Sequence, residues 1–330
     1  MRERNGKTFV RIVMSCLVSV GALTCVPTCS AAENGRQTAA VPPPDQNLVL
    51  AAPITTWDEA VPLGNGLLGG LLWGEKNTIR LSLDRGDLWD ERMAFEKQWW
   101  KKHTYAIGKQ LVDQKKFDAV HHMWDRQSRG TTPTKLPGGR MEITLDPSQE
   151  INTFELNLAT AEGFARFIDG KKLDTFFSAA EPVALLRIPG PEPKAIRLLS
   201  QMDVLQRRTG SKGGSSVAAL GYPEAKSGSD GKAKWYIQKA DAGLIYCVYT
   251  ESRRVGGETL LAVTVSSTND GADPLALARE RCSLALTQGY TAMLKPHADW
   301  WRKFWAPANR CPPWSCLTST ATRTRWPMPR

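Results

Sequence analysis

Cysteine is scarce where a scaffold would need it. Of seven cysteines in 330 residues, Cys16, Cys25 and Cys29 precede residue 30 and Cys311 and Cys316 fall in the last twenty, leaving Cys247 and Cys282 for the body. That distribution excludes a disulfide framework and any zinc-finger spacing. Each of the two lies in an apolar segment, so a buried free thiol and a pair formed in an oxidising compartment both stay open. Histidine is scarcer still, at four. His121 and His122 are adjacent on a helical pattern and diverge, unlike an i, i+4 metal pair, so no metal site is expected. There is no Gly-x-Ser-x-Gly elbow and no Gly-x4-Gly-Lys-Ser/Thr phosphate-binding loop, which removes support for serine-hydrolase and nucleotide chemistry, and no cofactor is implied.

Concentrated basic charge is also lacking. The formal net charge is +10, but residues 1–31 carry four basic residues against one acidic, and residues 310–330 carry four basic and none acidic. Seven of the ten excess positive charges therefore lie outside the body, which offers no clustered footprint for nucleic acid.

What the chain does have begins at its amino terminus. Arg2, Arg4, Lys7 and Arg11 lead into an apolar run from Ile12 to about Cys29, interrupted by Gly21 and Pro27 and followed by Ser30-Ala31-Ala32. This order predicts a signal peptide over 1–32 and export to a periplasmic or extracellular space. An uncleaved anchor is the alternative. Cys16 and Cys25 lack the spacing of an acylation site. Residues 33–47, rich in Gln, Ala and Pro, read as a linker.

Period-two alternation dominates the body at 48–290. In Thr78-Ile-Arg-Leu-Ser-Leu83 the apolar residues Ile79, Leu81 and Leu83 share one face, and Met141 to Leu145, Phe154 to Leu158, Val183 to Ile188 and Leu261 to Val265 behave similarly. Asp169-Gly170 separates two such runs and predicts a hairpin. Two segments have helical spacing: 107–124, through Ile107, Leu111, Phe117, Val120 and Trp124, and Pro274 to Gly289. Residues 209–232, rich in Gly, Ser and Lys, read as a loop. The expected fold is mainly β, a large antiparallel β-sandwich with a few helices and a C-terminal linker helix.

Trp57-Asp-Glu-Ala60, Pro62-Leu-Gly-Asn-Gly66, Leu68-Gly-Gly70 and Trp73-Gly74, then Ile79 to Asp84 leading to Asp87-Leu-Trp89, appear in a recognisable order. So do Pro137-Gly-Gly139, the stretch from Phe154 to Ile188, Leu261 to Ser267, and His297-Ala-Asp-Trp-Trp-Arg-Lys-Phe-Trp305. This set resembles the N-terminal β-sandwich domain of family 95 glycoside hydrolases, the α-L-fucosidase-like enzymes related to the family 65 clan. The resemblance implies a carbohydrate partner and catalytic residues carried by a separate helical (α/α)6 barrel. The chain departs from it at Ser82-Leu-Asp-Arg-Gly-Asp-Leu-Trp-Asp-Glu-Arg92, so fucose need not be the sugar.

Several residues merit weighing within that frame. Asp84, Asp87, Asp90 and Glu91 invite a two-carboxylate glycosidase reading. Interleaved with Arg85 and Arg92, they read more simply as a salt-bridged turn. The Pro62 to Gly66 run reads as a tight turn feeding a strand, with Asn65 reaching towards a sugar as the functional alternative. Trp89, Trp99, Trp100 and Trp124 offer flat apolar platforms for sugars, of which Trp89 and Trp100 are the substrate-binding candidates. Residues 291–308 are expected to form a helix leading to a barrel and docking it through Trp300, Trp301, Phe304 and Trp305. Residues 309–330, with four prolines and no acid, are expected to form an irregular tail, read as out of frame and replacing the barrel, with a natural disordered end as the alternative. Three functions follow: a non-catalytic N-terminal domain of an exported glycoside hydrolase, a stand-alone carbohydrate-binding module, or a docking module for a separate barrel.

Overall fold

The computed structural model describes residues 41–92, 103–124, 134–206 and 220–306. The expected signal peptide, Trp99, Trp100, the part of the glycine-rich segment before residue 220 and the tail after 306 lie outside the described residues. In chain order the first strands are β1 (Leu48–Ala51), β2 (Val61–Gly64), β3 (Leu68–Glu75), β4 (Thr78–Arg85) and β5 (Trp89–Asp90). Helices α1 (Tyr105–Asp113) and α2 (Phe117–Trp124) precede β6 (Thr134–Lys135), β7 (Arg140–Thr144), β8 (Ile151–Asn157), β9 (Glu162–Phe167) and β10 (Lys172–Phe177). Then come β11 (Ala184–Pro189), β12 (Ala195–Leu199), α3 (Gln201–Gln206), β13 (Lys226–Asp230) and β14 (Ala233–Lys239). The described chain closes with β15 (Ile245–Val255), β16 (Glu258–Ser267), α4 (Pro274–Gln288) and α5 (Tyr290–Trp305).

The strands form a nine-stranded sheet, β1-β8-β9-β10-β11-β16-β15-β14-β13, a five-stranded sheet, β12-β7-β4-β3-β2, and a small β5-β6 pair. All pairings are antiparallel. The two larger sheets stack into the expected sandwich. Alternation explains the inner faces: Ile79, Leu81 and Leu83 on β4 and Met141 and Ile143 on β7 are buried against Phe154, Phe177, Leu186 and Val263 of the larger sheet. The Asp169-Gly170 hairpin forms between β9 and β10, with Gly170 at φ 84°.

Three expectations change. Val183 to Ile188 and Leu261 to Val265 are buried on both faces rather than half-exposed. The physical reason is a pair of helices: α4 covers the outer face of β15 and β16, α5 lies against β11, and together they build a second core in which Ala278, Cys282, Ala285, Leu286, Tyr290 and Met293 face Val183, Leu185, Cys247, Tyr249, Leu260 and Ala262. Helix α4 itself follows the sequence signals: the Asp273 carboxylate accepts from Ala276 N at 3.0 Å, Pro274 opens the helix, and Gly289 at φ 83° closes it. The single helix expected over 107–124 is two helices, broken where Lys115 takes φ 56°. Ile107, Val112 and Phe117 are exposed, so no core holds one continuous rod together. Finally, Lys226–Asp230, expected within a loop, is the edge strand β13, joined to β14 through Gly231 at φ 54°.

Cys247 and Cys282 are both buried and unbridged. Desolvation pushes both thiols up, Cys247 to about 12, so little reactive thiolate forms. Peptide mapping after alkylation of the native protein at pH 8 is expected to find both unmodified until denaturant is added. Labelling of either under native conditions would contradict the packing of α4.

Candidate functional site

The acidic turn at the end of β4 is organised by Arg85, whose side chain is 2% exposed. Its guanidinium donates to Asp87 at 2.6 and 2.9 Å, to Asp270 at 2.6 and 2.8 Å, and to the Val265 carbonyl at 2.9 Å. Arg281 of α4 adds a bond to Asp270 at 2.9 Å. Burial works against ionisation of Asp270, but the hydrogen bonds from Arg85 and Arg281 outweigh it and hold the carboxyl at about 2. Asp87 is likewise lowered, chiefly by Arg85. Asp90 is fully buried; desolvation is again outweighed, here by hydrogen bonds from Arg92 and the Tyr222 hydroxyl, leaving it at about 2. Asp84 pairs with Lys135 at 2.5 Å, and Glu91 is exposed. The structure thus gives Asp84, Asp87 and Asp90 three different cationic partners, each holding its carboxylate in a fixed place.

Asn65 sits at the β2–β3 turn. Its Nδ2 donates to the Ser178 carbonyl at 2.7 Å and its Oδ1 accepts from the Leu68 and Leu67 amides at 2.7 and 3.0 Å, so the carboxamide ties this turn to the β10–β11 loop. Trp89 is 44% exposed, with its indole N–H donating to the Gly86 carbonyl at 2.9 Å. Trp100 and Trp99 lie outside the described residues, as does the side chain of Trp124.

A groove of about 920 Å³ opens on the outer face of the five-stranded sheet. Strand alternation builds it: residues between the buried apolar positions point outward, and register aligns them in rows across the strands. One row runs Trp73, Arg80, Glu142, Arg197 across β3, β4, β7 and β12; the next runs Pro62, Leu71, Ser82, Arg140 across β2, β3, β4 and β7. The Trp73 indole N–H donates to Ser82 Oγ at 3.0 Å, and the Arg80 and Arg140 guanidiniums lie 5.0 and 5.3 Å from its ring. Arg80 bonds Glu75 at 3.0 Å, and Glu142 bonds Arg140 at 3.0 Å. Trp57, 48% exposed, and Gln201, 2% exposed, complete two of the walls. Sequence reading missed these residues; the only signal was the polar half of the β4 and β7 alternation, which looks the same for a solvated face and a groove floor. Among the described residues, no three His, Cys, Asp or Glu side chains converge as a metal site requires.

Helix α5 lies across the second core. His297 is fully buried against Phe176, with ring centroids 4.8 Å apart, and its Nδ1 accepts from Ala179 N at 3.2 Å. Its Nε2 makes no hydrogen bond among the described residues, and desolvation lowers its pKa, opposed in part by the nearby Thr160 and Ala161 backbone. Trp305 Nε1 donates to the Leu158 carbonyl at 2.8 Å, and Trp301 is half-buried. Trp300 and Phe304, 47% and 52% exposed, stack on each other with centroids 5.6 Å apart and present an outward apolar pair.

Among solved structures, one described as "Putative kojibiose phosphorylase from human microbiome" matches with a TM-score of 0.40 and 10% identity, covering 78% of this chain and 35% of that one. This chain thus spans about a third of that protein's length. No curated protein matches. The family model for the glycosyl hydrolase family 65 N-terminal domain matches residues 48–267, from β1 through the end of β16. That match covers more than half of the chain, and the chain belongs to the glycosyl hydrolase family 65 N-terminal domain family.

Proposed function

We propose that the chain serves as the non-catalytic N-terminal domain of an exported, α-L-fucosidase-like glycoside hydrolase of the family 95 kind acting on glycans. The observation that carries this reading is the state of the acidic turn. Glycoside cleavage uses one carboxyl that gives a proton and a second that attacks or activates water. Asp87 and Asp270 are instead bound to Arg85, Asp90 to Arg92 and Tyr222, and Asp84 to Lys135. Asp87, Asp90 and Asp270, held ionised by their cations, make poor general acids. The exposed Trp300 and Phe304 pair supports docking of a catalytic barrel at α5, with Trp305 anchoring the end of the helix to the sandwich. Export rests on the amino-terminal sequence.

The test is a panel of aryl glycosides, α-L-fucoside included, incubated with the purified chain. No aglycone release above the blank is expected. Release that is lost in Asp87→Asn or Asp84→Asn would overturn the non-catalytic reading and reassign the acidic turn as the active site.

A further inference from the structure

We propose that the groove on the outer face of the five-stranded sheet is a binding site for a neutral oligosaccharide. This rests on the reading of the chain as part of a carbohydrate-active enzyme and adds to it a recognition site.

The first argument is shape. The groove's volume of about 920 Å³ lies near the top of the range of roughly 300–1,000 Å³ typical of small-molecule sites. The row from Pro62 to Arg140, all of it in the lining, crosses four strands, a span of about 14 Å at ordinary strand spacing. That suits a short chain of rings better than a single sugar.

The second argument is charge. Arg80 and Arg140 are matched by Glu75 and Glu142, and Asp84 is matched by Lys135. With its charges cancelled in pairs, the groove gains little from an anionic ligand. Those same pairs place planar guanidinium and carboxylate groups on the floor, chemistry that suits hydroxyl groups.

The third argument is an unused acceptor. Gln201, 2% exposed, lines the groove, and its Oε1 makes no hydrogen bond among the described residues. A buried carbonyl without a donor is costly, so its place beside a cavity points to a ligand that donates. Sugar hydroxyls donate, and the half-exposed Trp57 ring on the opposite part of the lining offers the apolar plate that the C–H face of a pyranose packs against.

The experiment is calorimetric titration of the full chain with maltotetraose, cellotetraose, xylotetraose, 2′-fucosyllactose and tetragalacturonate, each to about 10 mM, far above the micromolar range of tight ligands. Afterwards the sugars are recovered and chromatographed. At least one neutral probe is expected to bind. Trp57→Ala and Gln201→Leu, both checked for an unchanged unfolding midpoint, should each weaken that binding by about tenfold. Binding that survives both substitutions, tighter binding of tetragalacturonate than of any neutral probe, or no binding across the panel would overturn the site. Cleavage of a recovered sugar would instead break the non-catalytic reading, leaving the groove assignment to stand or fall on the two variants.

Discussion

Replacing Arg85 with leucine is expected to lower the unfolding free energy by about 3–5 kcal/mol, the usual consequence of removing one partner from a buried ion pair. Arg85 bridges the end of β4 to Asp270, 185 residues away, and to the Val265 carbonyl of β16. It therefore joins the small sheet to the large one and, through Arg281, to α4. Without it, Asp270 and Asp87 face each other with less compensation in a site that water reaches poorly. Urea unfolding followed by tryptophan fluorescence measures the loss. A change below about 1 kcal/mol, the scale of an exposed surface pair, would show that the cluster is not a structural joint. The pH dependence has a definite sign. Asp270 and Asp90 are held at about 2, below the ordinary 3.8, so their contribution is complete above the ordinary value and is lost as pH falls through about 2. Wild-type stability should decline between about pH 4 and 2. In Arg85→Leu the Asp270 share of that decline should shrink, because the carboxyl no longer gains its main partner on folding.

Phe176→Ala is expected to cost about 3–5 kcal/mol, as for other buried aromatic truncations. It should also release α5. Phe176 is fully buried beneath that helix, with its ring 5.0 Å from Tyr290 edge-to-face and 4.8 Å from His297. Those two side chains fix the first half of α5 on the sheet, while the Trp305 bond to Leu158 fixes its end. Hydrogen exchange should show lost protection through residues 290–305 in excess of the loss in β3 and β4. Uniform loss across both sheets would mean that α5 is not a separately docked element.

The pattern of what could be read in advance follows from the range of each interaction. Ile79, Leu81 and Leu83, the Asp169-Gly170 hairpin, and the helix opened by Asp273-Pro274 and closed by Gly289 are local, and alternation or capping chemistry fixes them within a few residues. The ion pairs of Arg85 with Asp87 and of Arg92 with Asp90 were also legible, because the partners are two positions apart. Asp270 was not, since only the folded sheet order brings it to Arg85. The groove was hidden for the same reason: Trp73, Arg80 and Glu142 become neighbours only through the pairing of β3, β4 and β7. Burial of both faces of β11 and β16 was missed because periodicity reports one strand's faces and not the helix that later covers one of them.

The central claim is that this domain holds a glycan without cleaving it. One nuclear magnetic resonance experiment tests both halves: the full chain is mixed with the tightest neutral probe, saturation transfer to the sugar is recorded, and its anomeric signals are followed for several days. The account predicts transfer that disappears in Trp57→Ala and anomeric signals that do not change. New anomeric signals growing with time, or transfer indifferent to Trp57, would contradict it.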